Sequence, residues 1–327
     1  MRTMSAGIFS FQRNLRRECD LIAPRLIYSK VFIAKRTLEG FARLMMGFRS
    51  ARRLASLAIF LTSLAAFAQG GQAPQSRQTA NELVRRAVNK EVADMENPKD
   101  FWRYHLRKES ASGSQTRDMV ETKQGIVART IAVNDQPLTP EQRAGDDARL
   151  AQLIADPQEQ RKKQKEQNDE TNRVLGLVRA LPDALLYDFD GNEVVNGRNC
   201  TRLKFVPNPK FSPTTRETLV YKRTGGFLWV DTAAERFVRF DATLTDNVNI
   251  GWGGILGHIN KGGHFVLGQT TVANGKWKLT TLILEATGKL LIFKNISLKQ
   301  RQFGSDYKSV PPTLSIAEAV DLLKRAP

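Results

Sequence analysis

After Pro182 the sequence breaks into short segments that alternate apolar and polar residues between turn signals, and this restricts the fold more than any other feature. TLVYKR, GFLWVD, RFVRFDATL, HFVLGQTTV, KWKLTTLILEA and KLLIFKNISL all carry the period of two expected of strands. Asp190-Gly191 and Asn274-Gly275, supported by Thr287-Gly288, read as tight hairpin turns. Strands joined this closely run antiparallel, because a parallel neighbour needs a long crossover. Three more strands are expected near 101–110, 115–124 and 126–133, for a total of about eleven.

Helices are expected at three places around them. Thr79 to Glu82 reads as a capping box, followed by an apolar stripe (Leu83, Val84, Ala87, Val88, Val92, Met95) that Asn97-Pro98 stops. Thr139-Pro140 opens a second helix and Asp156-Pro157 a third. Residues 158–173 of that third helix contain no apolar residue, which suggests a solvated arm or a flexible insertion. Ser315 to Glu318 is another capping box. The expected class is α+β: one large curved antiparallel sheet, a half-barrel, with packed helices. Residues 79–327 would be a single domain carrying a charged helical insertion at 140–173, preceded by a linker at 69–78.

The N-terminal region carries an address. Leu54 to Phe67 is uncharged, follows Arg49, Arg52 and Arg53, and runs into Ala66-Phe67-Ala68. That order of basic, apolar and small-residue regions is a secretory signal spanning 45–68, with cleavage expected after Ala68. The apolar run is shorter than the roughly 20 residues a spanning helix needs. Translation starting at Met45 or Met46 would make residues 1–44 a non-native leader. The product is expected to be soluble and periplasmic or otherwise extracytoplasmic.

The chain carries a net charge of +17, and removal of residues 1–68 leaves +8. The excess gathers in 194–226 and 276–308. Such charge suits anionic head groups or an acidic envelope polymer, and equally a solvated face. Nothing in the sequence signals nucleic-acid binding. Cys200 is the sole cysteine beyond the signal, so an internal disulfide is excluded.

No cofactor, metal or catalytic group is expected. His105, His258 and His264 match no zinc spacing, and Asp188 to Asn192 lacks the glycine and closing glutamate of a calcium loop. The Gly-rich stretch 251–263 lacks G-K-[ST]. It reads instead as a short flap around Trp252, Ile255, Leu256 and Ile259. The late strands are apolar on both faces: Trp277, Leu279 and Ile283 alternate with Leu282 and Leu284, and Leu290 and Ile292 with Leu291 and Phe293. Such strands need either a second covering layer or a greasy hollow inside a curved sheet.

One succession of residues resembles the LolA-like superfamily of periplasmic lipoprotein carriers and envelope sensors. It runs from Val195 and Gly197 through Leu203, Phe205 and Pro207 to Leu219-Val-Tyr221, Leu228-Trp-Val-Asp231 and Phe237 to Asp241. The resemblance implies a half-barrel of about eleven strands whose helices close a cavity for lipid acyl chains or lipoprotein, as in outer membrane lipoprotein sorting. It therefore implies a lipid-binding carrier or sensor; apart from the resemblance, a monomer without enzymatic activity that contacts a membrane surface is expected. Phe227, Trp229, Phe265, Trp277 and Phe293 are the candidate cavity residues. The alternatives are an envelope structural protein binding acidic polymer through the basic strands, and an envelope hydrolase.

Overall fold

The computed structural model describes residues 73–250, 257–290 and 294–325. Thirteen strands form one sheet, and its main path runs β4-β3-β2-β1-β13-β12-β11-β8-β7-β6-β5. In chain order these are β1 (Phe101–Ser110), β2 (Gly113–Thr122), β3 (Gly125–Val133), β4 (Gln136–Pro137), β5 (Leu185–Val195), β6 (Arg198–Pro207) and β7 (Thr224–Asp231). They continue as β8 (Phe237–Leu244), β9 (Val248–Ile250), β10 (Gly257–Ile259), β11 (His264–Thr271), β12 (Trp277–Leu290) and β13 (Lys294–Val310). Every pairing is antiparallel, as in a half-barrel, and the ends of the path, β4 and β5, do not pair with each other. β13 returns to pair with β1, so both ends of the described chain meet in the middle of the sheet.

Four helices accompany it among the described residues: α1 (Ala73–Glu96), α2 (Pro140–Ala155), α3 (Pro157–Ala184) and α4 (Ile316–Lys324). The box at Ser315 forms as expected, and the helix opened by Thr139-Pro140 begins with a box too, each side chain accepting from the N–H three residues on. Helix α1 begins at Ala73, earlier than the Thr79 box suggests, and takes in most of the expected linker. Its first turns are held by Arg77, paired to Asp188 at 2.5 Å, and by Asn81, whose side chain accepts the Tyr187 N–H.

Three other expectations need correction. The segment TLVYKR is a 3-10 turn (Glu217–Arg223), which buries Thr218 and Tyr221. Asp190-Gly191 lies within β5, at a shift of register, and the turn to β6 is Asn196-Gly197, both at positive φ. Thr287-Gly288 lies within β12, where a Cβ on Gly288 would stand 2.2 Å from the His258 carbonyl of β10. Asn274-Gly275 is a turn, again with both φ positive.

The polar stretch 158–173 is helical and mostly exposed, and it also touches the sheet. It is the first half of α3, and with α2 it covers the open side of β3. Gln167 accepts from the Ile126 N–H at 3.0 Å and donates to the Ile126 carbonyl at 3.4 Å. Arg149 donates to the Ala128 carbonyl, and Asp146 accepts from the Thr130 N–H. These polar side chains take the places a further strand would fill. The second half of α3 packs with α1 over β5 to β8, so one helix reaches from one edge of the sheet to the other.

Two cores result. The larger joins Ala80, Val84, Ala87 and Val88 of α1 and Leu181 and Ala184 of α3 to Tyr187, Leu203, Phe205, Leu228, Val230 and Phe240. The smaller sits on the opposite face, where Val120, Val127, Phe101 and Val310 meet Leu150 and Leu153 of α2 and Ile316, Val320 and Leu323 of α4.

Candidate functional site: an apolar groove with a polar end

Cross-strand partners share a face, so the ladder shows what lies on the helix side of the sheet. One row runs Leu203, Leu228, Phe240, Leu267, Leu282, Gln302, Lys108 and Gln115. The next runs Phe205, Gly226, Ala242, Phe265, Leu284, Gln300 and Ser110. Burial changes along both. Leu203 and Leu228 are fully buried beneath α1 and α3, whereas Phe265, Leu267, Leu282 and Leu284 are only half-buried. Ile283, on the opposite face of β12, is half-buried too. Among the described residues the doubly apolar strand is therefore not sealed between two packed layers, and its helix side carries a half-buried apolar strip.

Beyond β12 the same face turns polar. Lys108 of β1 and Arg117 of β2 are diagonal neighbours, since Leu106 pairs with Arg117 and Lys108 with Gln115. Burial first, then the Arg117 charge, pushes Lys108 below its ordinary value, and Glu170 of α3 opposes this. Burial and then Arg149 likewise lower Arg117, against Asp146. Desolvation raises Glu170 although its side chain is exposed, while Arg173 and Lys108 hold it down. Trp102 Nε1, Arg117 Nε and Gln300 Nε2 are buried N–H groups on this face with no hydrogen-bond partner among the described residues. Such groups are uncommon, because an unmade buried hydrogen bond costs about 1–3 kcal/mol.

Towards the other end of β1 lies a cluster of aromatic and polar residues. The rings of Tyr104 and Tyr307 stack at 4.9 Å, Trp102 meets Tyr307 edge-on, and Lys278 lies 5.6 Å over the Trp102 ring. Lys278 also pairs with Glu121 at 3.5 Å. Burial pushes the Tyr307 phenol up to about 12.

The predicted aromatic residues do not share one wall. Phe265 stands on the groove face, edge-on to Phe240. Phe227 and Trp229 alternate with Leu228 and Val230 and point away from the helices. Arg202 lies over Phe227 and Arg239 over Trp229, whose indole donates to Glu193. Trp277 is half-buried, with Arg198 at 4.6 Å from its ring. Phe293, the flap residues Trp252, Ile255 and Leu256, and the cleavage residue Ala68 lie outside the described residues. Ile259 is half-buried in β10. A separate cavity of about 340 Å³ lies at the far end of the β5–β6 hairpin, lined by Asn192, Glu193, Val194, Asn199, Cys200 and Thr232.

The remaining reactive groups are dispersed. His264 meets Asp241 at 2.8 Å and His105 meets Asp306 at 3.1 Å. Cys200 is buried, which raises its thiol. No group of three metal-ligating side chains occurs among the described residues. Lys108 and Arg117 meet across the β1–β2 hairpin, and Gln300 escaped the sequence reading because β1 and β13 lie some 200 residues apart in the chain and only their pairing puts it on the same face.

No family model matches the chain, and no curated protein is similar to it in sequence. Solved structures are similar in fold. An outer membrane lipoprotein-sorting protein domain from Vibrio parahaemolyticus is 12% identical over 74% of this chain and 100% of its own, with a TM-score of 0.29. A DUF1329 family protein from Desulfovibrio piger is 12% identical over 74% and 96%, at 0.27. A LolA superfamily protein from Nitrosomonas europaea is 10% identical over 72% and 94%, at 0.24. Identities and TM-scores this low leave the activity to be read from this chain's own residues.

Proposed function

We propose that this is an exported carrier or sensor that binds lipid acyl chains in the groove between the helix side of the sheet and α3. The observation that supports it is the half-buried apolar strip of Phe265, Leu267, Leu282 and Leu284, contiguous with a packed core yet left open. A chain laid along it gains about 0.8 kcal/mol for each methylene it buries, so several methylenes give useful affinity without a polar contact. No helix of the described residues is long and apolar enough to cross a membrane. The reading assigns Phe265 to the wall and leaves Phe227 and Trp229 to the outer face.

Displacement of a fluorescent fatty acid from the purified protein tests it. Saturable binding is expected, together with a Leu282→Asp variant that keeps its far-UV spectrum and melting temperature but binds at least about ten-fold more weakly. Absence of saturable binding by the wild type would refute the proposal.

A further inference from the structure

The groove ends at charge. Its apolar floor on β11 and β12 passes within one strand to Gln300 and Gln302 of β13, and within two to Lys108 of β1. Gln300 is 3% exposed, and its Nε2 has no acceptor among the described residues. Arg117 is in the same position at Nε and makes no ion pair among the described residues. Carboxylates do stand nearby: Asp146 is bonded to Arg149 at 2.9 Å, and Glu170 lies within electrostatic reach of Arg173 and Lys108. A guanidinium taken from water without a carboxylate of its own is costly, and an incoming anion would offset that cost. All the orphaned groups on this face are donors, so what they lack is an acceptor.

We infer that Arg117 and Lys108 form a subsite for the anionic head group of a single-chain amphiphile, a carboxylate or a phosphate monoester. Its tail would lie over Leu284, Leu282, Leu267 and Phe265. This rests on the groove being the acyl-chain site and adds polarity to it: the head sits at β1 and β2, and the tail points towards β8. Arg117 offers a planar fork that fits a carboxylate or phosphate, while Lys108 supplies a point charge. Hydrogen bonds to an ionised acceptor are about twice as strong as neutral ones.

The test compares three ligands of one chain length on the purified protein: dodecanoate, dodecyl phosphate and dodecanol. At least one anion is expected to bind about ten-fold more tightly than the alcohol, and whichever anion binds better names the natural head group. Arg117→Met should remove that preference and leave the affinity for dodecanol unchanged. Its melting temperature should hold or rise, since a half-buried cation with a buried, unbonded Nε is lost. Lys108→Met provides the second variant and should reduce the preference in part. Equal affinity for alcohol and anions in the wild type would overturn the subsite and leave the groove standing. No binding of any of the three would overturn both.

Discussion

Strands β5 to β8 and strands β11 to β1 share one ladder and one face, but they are covered differently. Over the first group α1 and the second half of α3 lie side by side, and Leu203, Leu228 and Val230 are fully buried. Over the second group, no described β12 side chain is buried. Composition does not explain this, because Leu267, Leu282 and Leu284 are as apolar as the residues under the helices. The difference lies in the helix face presented: α3 is apolar where it pairs with α1 and polar over 158–173, where it crosses to β3. A sheet can therefore hold apolar residues in reserve when the helix above them is written to bind an edge instead of a core.

The largest test of that difference is truncation on each side of it. Leu228→Ala should cost about 3 kcal/mol, because a fully buried leucine leaves both a transfer loss and a cavity. Leu282→Ala should cost less than about 1 kcal/mol, because water already reaches that side chain. Urea melts of the two variants against wild type measure both values. Equal costs would mean that the middle of the sheet is packed as tightly as its end.

A second, smaller effect belongs to the covered end alone. Asp231 is 3% exposed and holds the turn after β7, accepting from the N–H groups of Ala233 and Ala234 and from Arg198 at 2.5 Å. Burial pushes this carboxylate up, but the bonds from Ala234, Arg198 and Ala233 outweigh it and hold it below its ordinary 3.8. A carboxyl lowered in the fold stabilises above its unfolded value, and the gain is lost as pH falls through the lower folded value. Asp231→Asn should thus cost about 1–2 kcal/mol near neutral pH. The gap to wild type should narrow in melts taken as pH drops below 3.8. A gap that stays constant with pH would remove the charge from this account.

Much of the fold was legible in the sequence, for identifiable reasons. The Ser315 capping box, the Thr139-Pro140 start, the Asn274-Gly275 turn and the two-residue period gave most of the strands and two of the helix starts, since each is a local rule obeyed locally. The run from Leu203 to Asp241 proves to be core and turn positions: Leu203, Phe205, Leu228, Val230, Phe237 and Phe240 are buried, and Asp231 ties a loop. Two glycine signals misled because glycine answers to neighbours as well as to turns. Gly288 is a glycine because β10 passes against it, and Gly191 because β5 shifts register there. The polar end of the groove was illegible, as it arises from the pairing of β1 with β13 and from a helix that reads as solvated.

That helix supplies the last and smallest test. The open side of β3 exposes backbone groups that would otherwise invite another strand. Gln167 meets Ile126 at both its N–H and its carbonyl. The contact is close enough that a Cβ on neighbouring Gly125 would stand 2.6 Å from the Gln167 oxygen. Gly125 also has a φ of +130°, a conformation that disfavours any other residue. Gln167→Ala removes both bonds but leaves the backbone groups open to water, so it should cost only about 0.5–1 kcal/mol. The sharper readout is local: the Ile126 amide should exchange with deuterium markedly faster, while the Leu228 amide keeps its wild-type rate. If the polar half of α3 were merely solvated, the Ile126 amide would not respond. Unchanged exchange there would separate the helix from the edge and leave the open middle of the sheet without its present explanation.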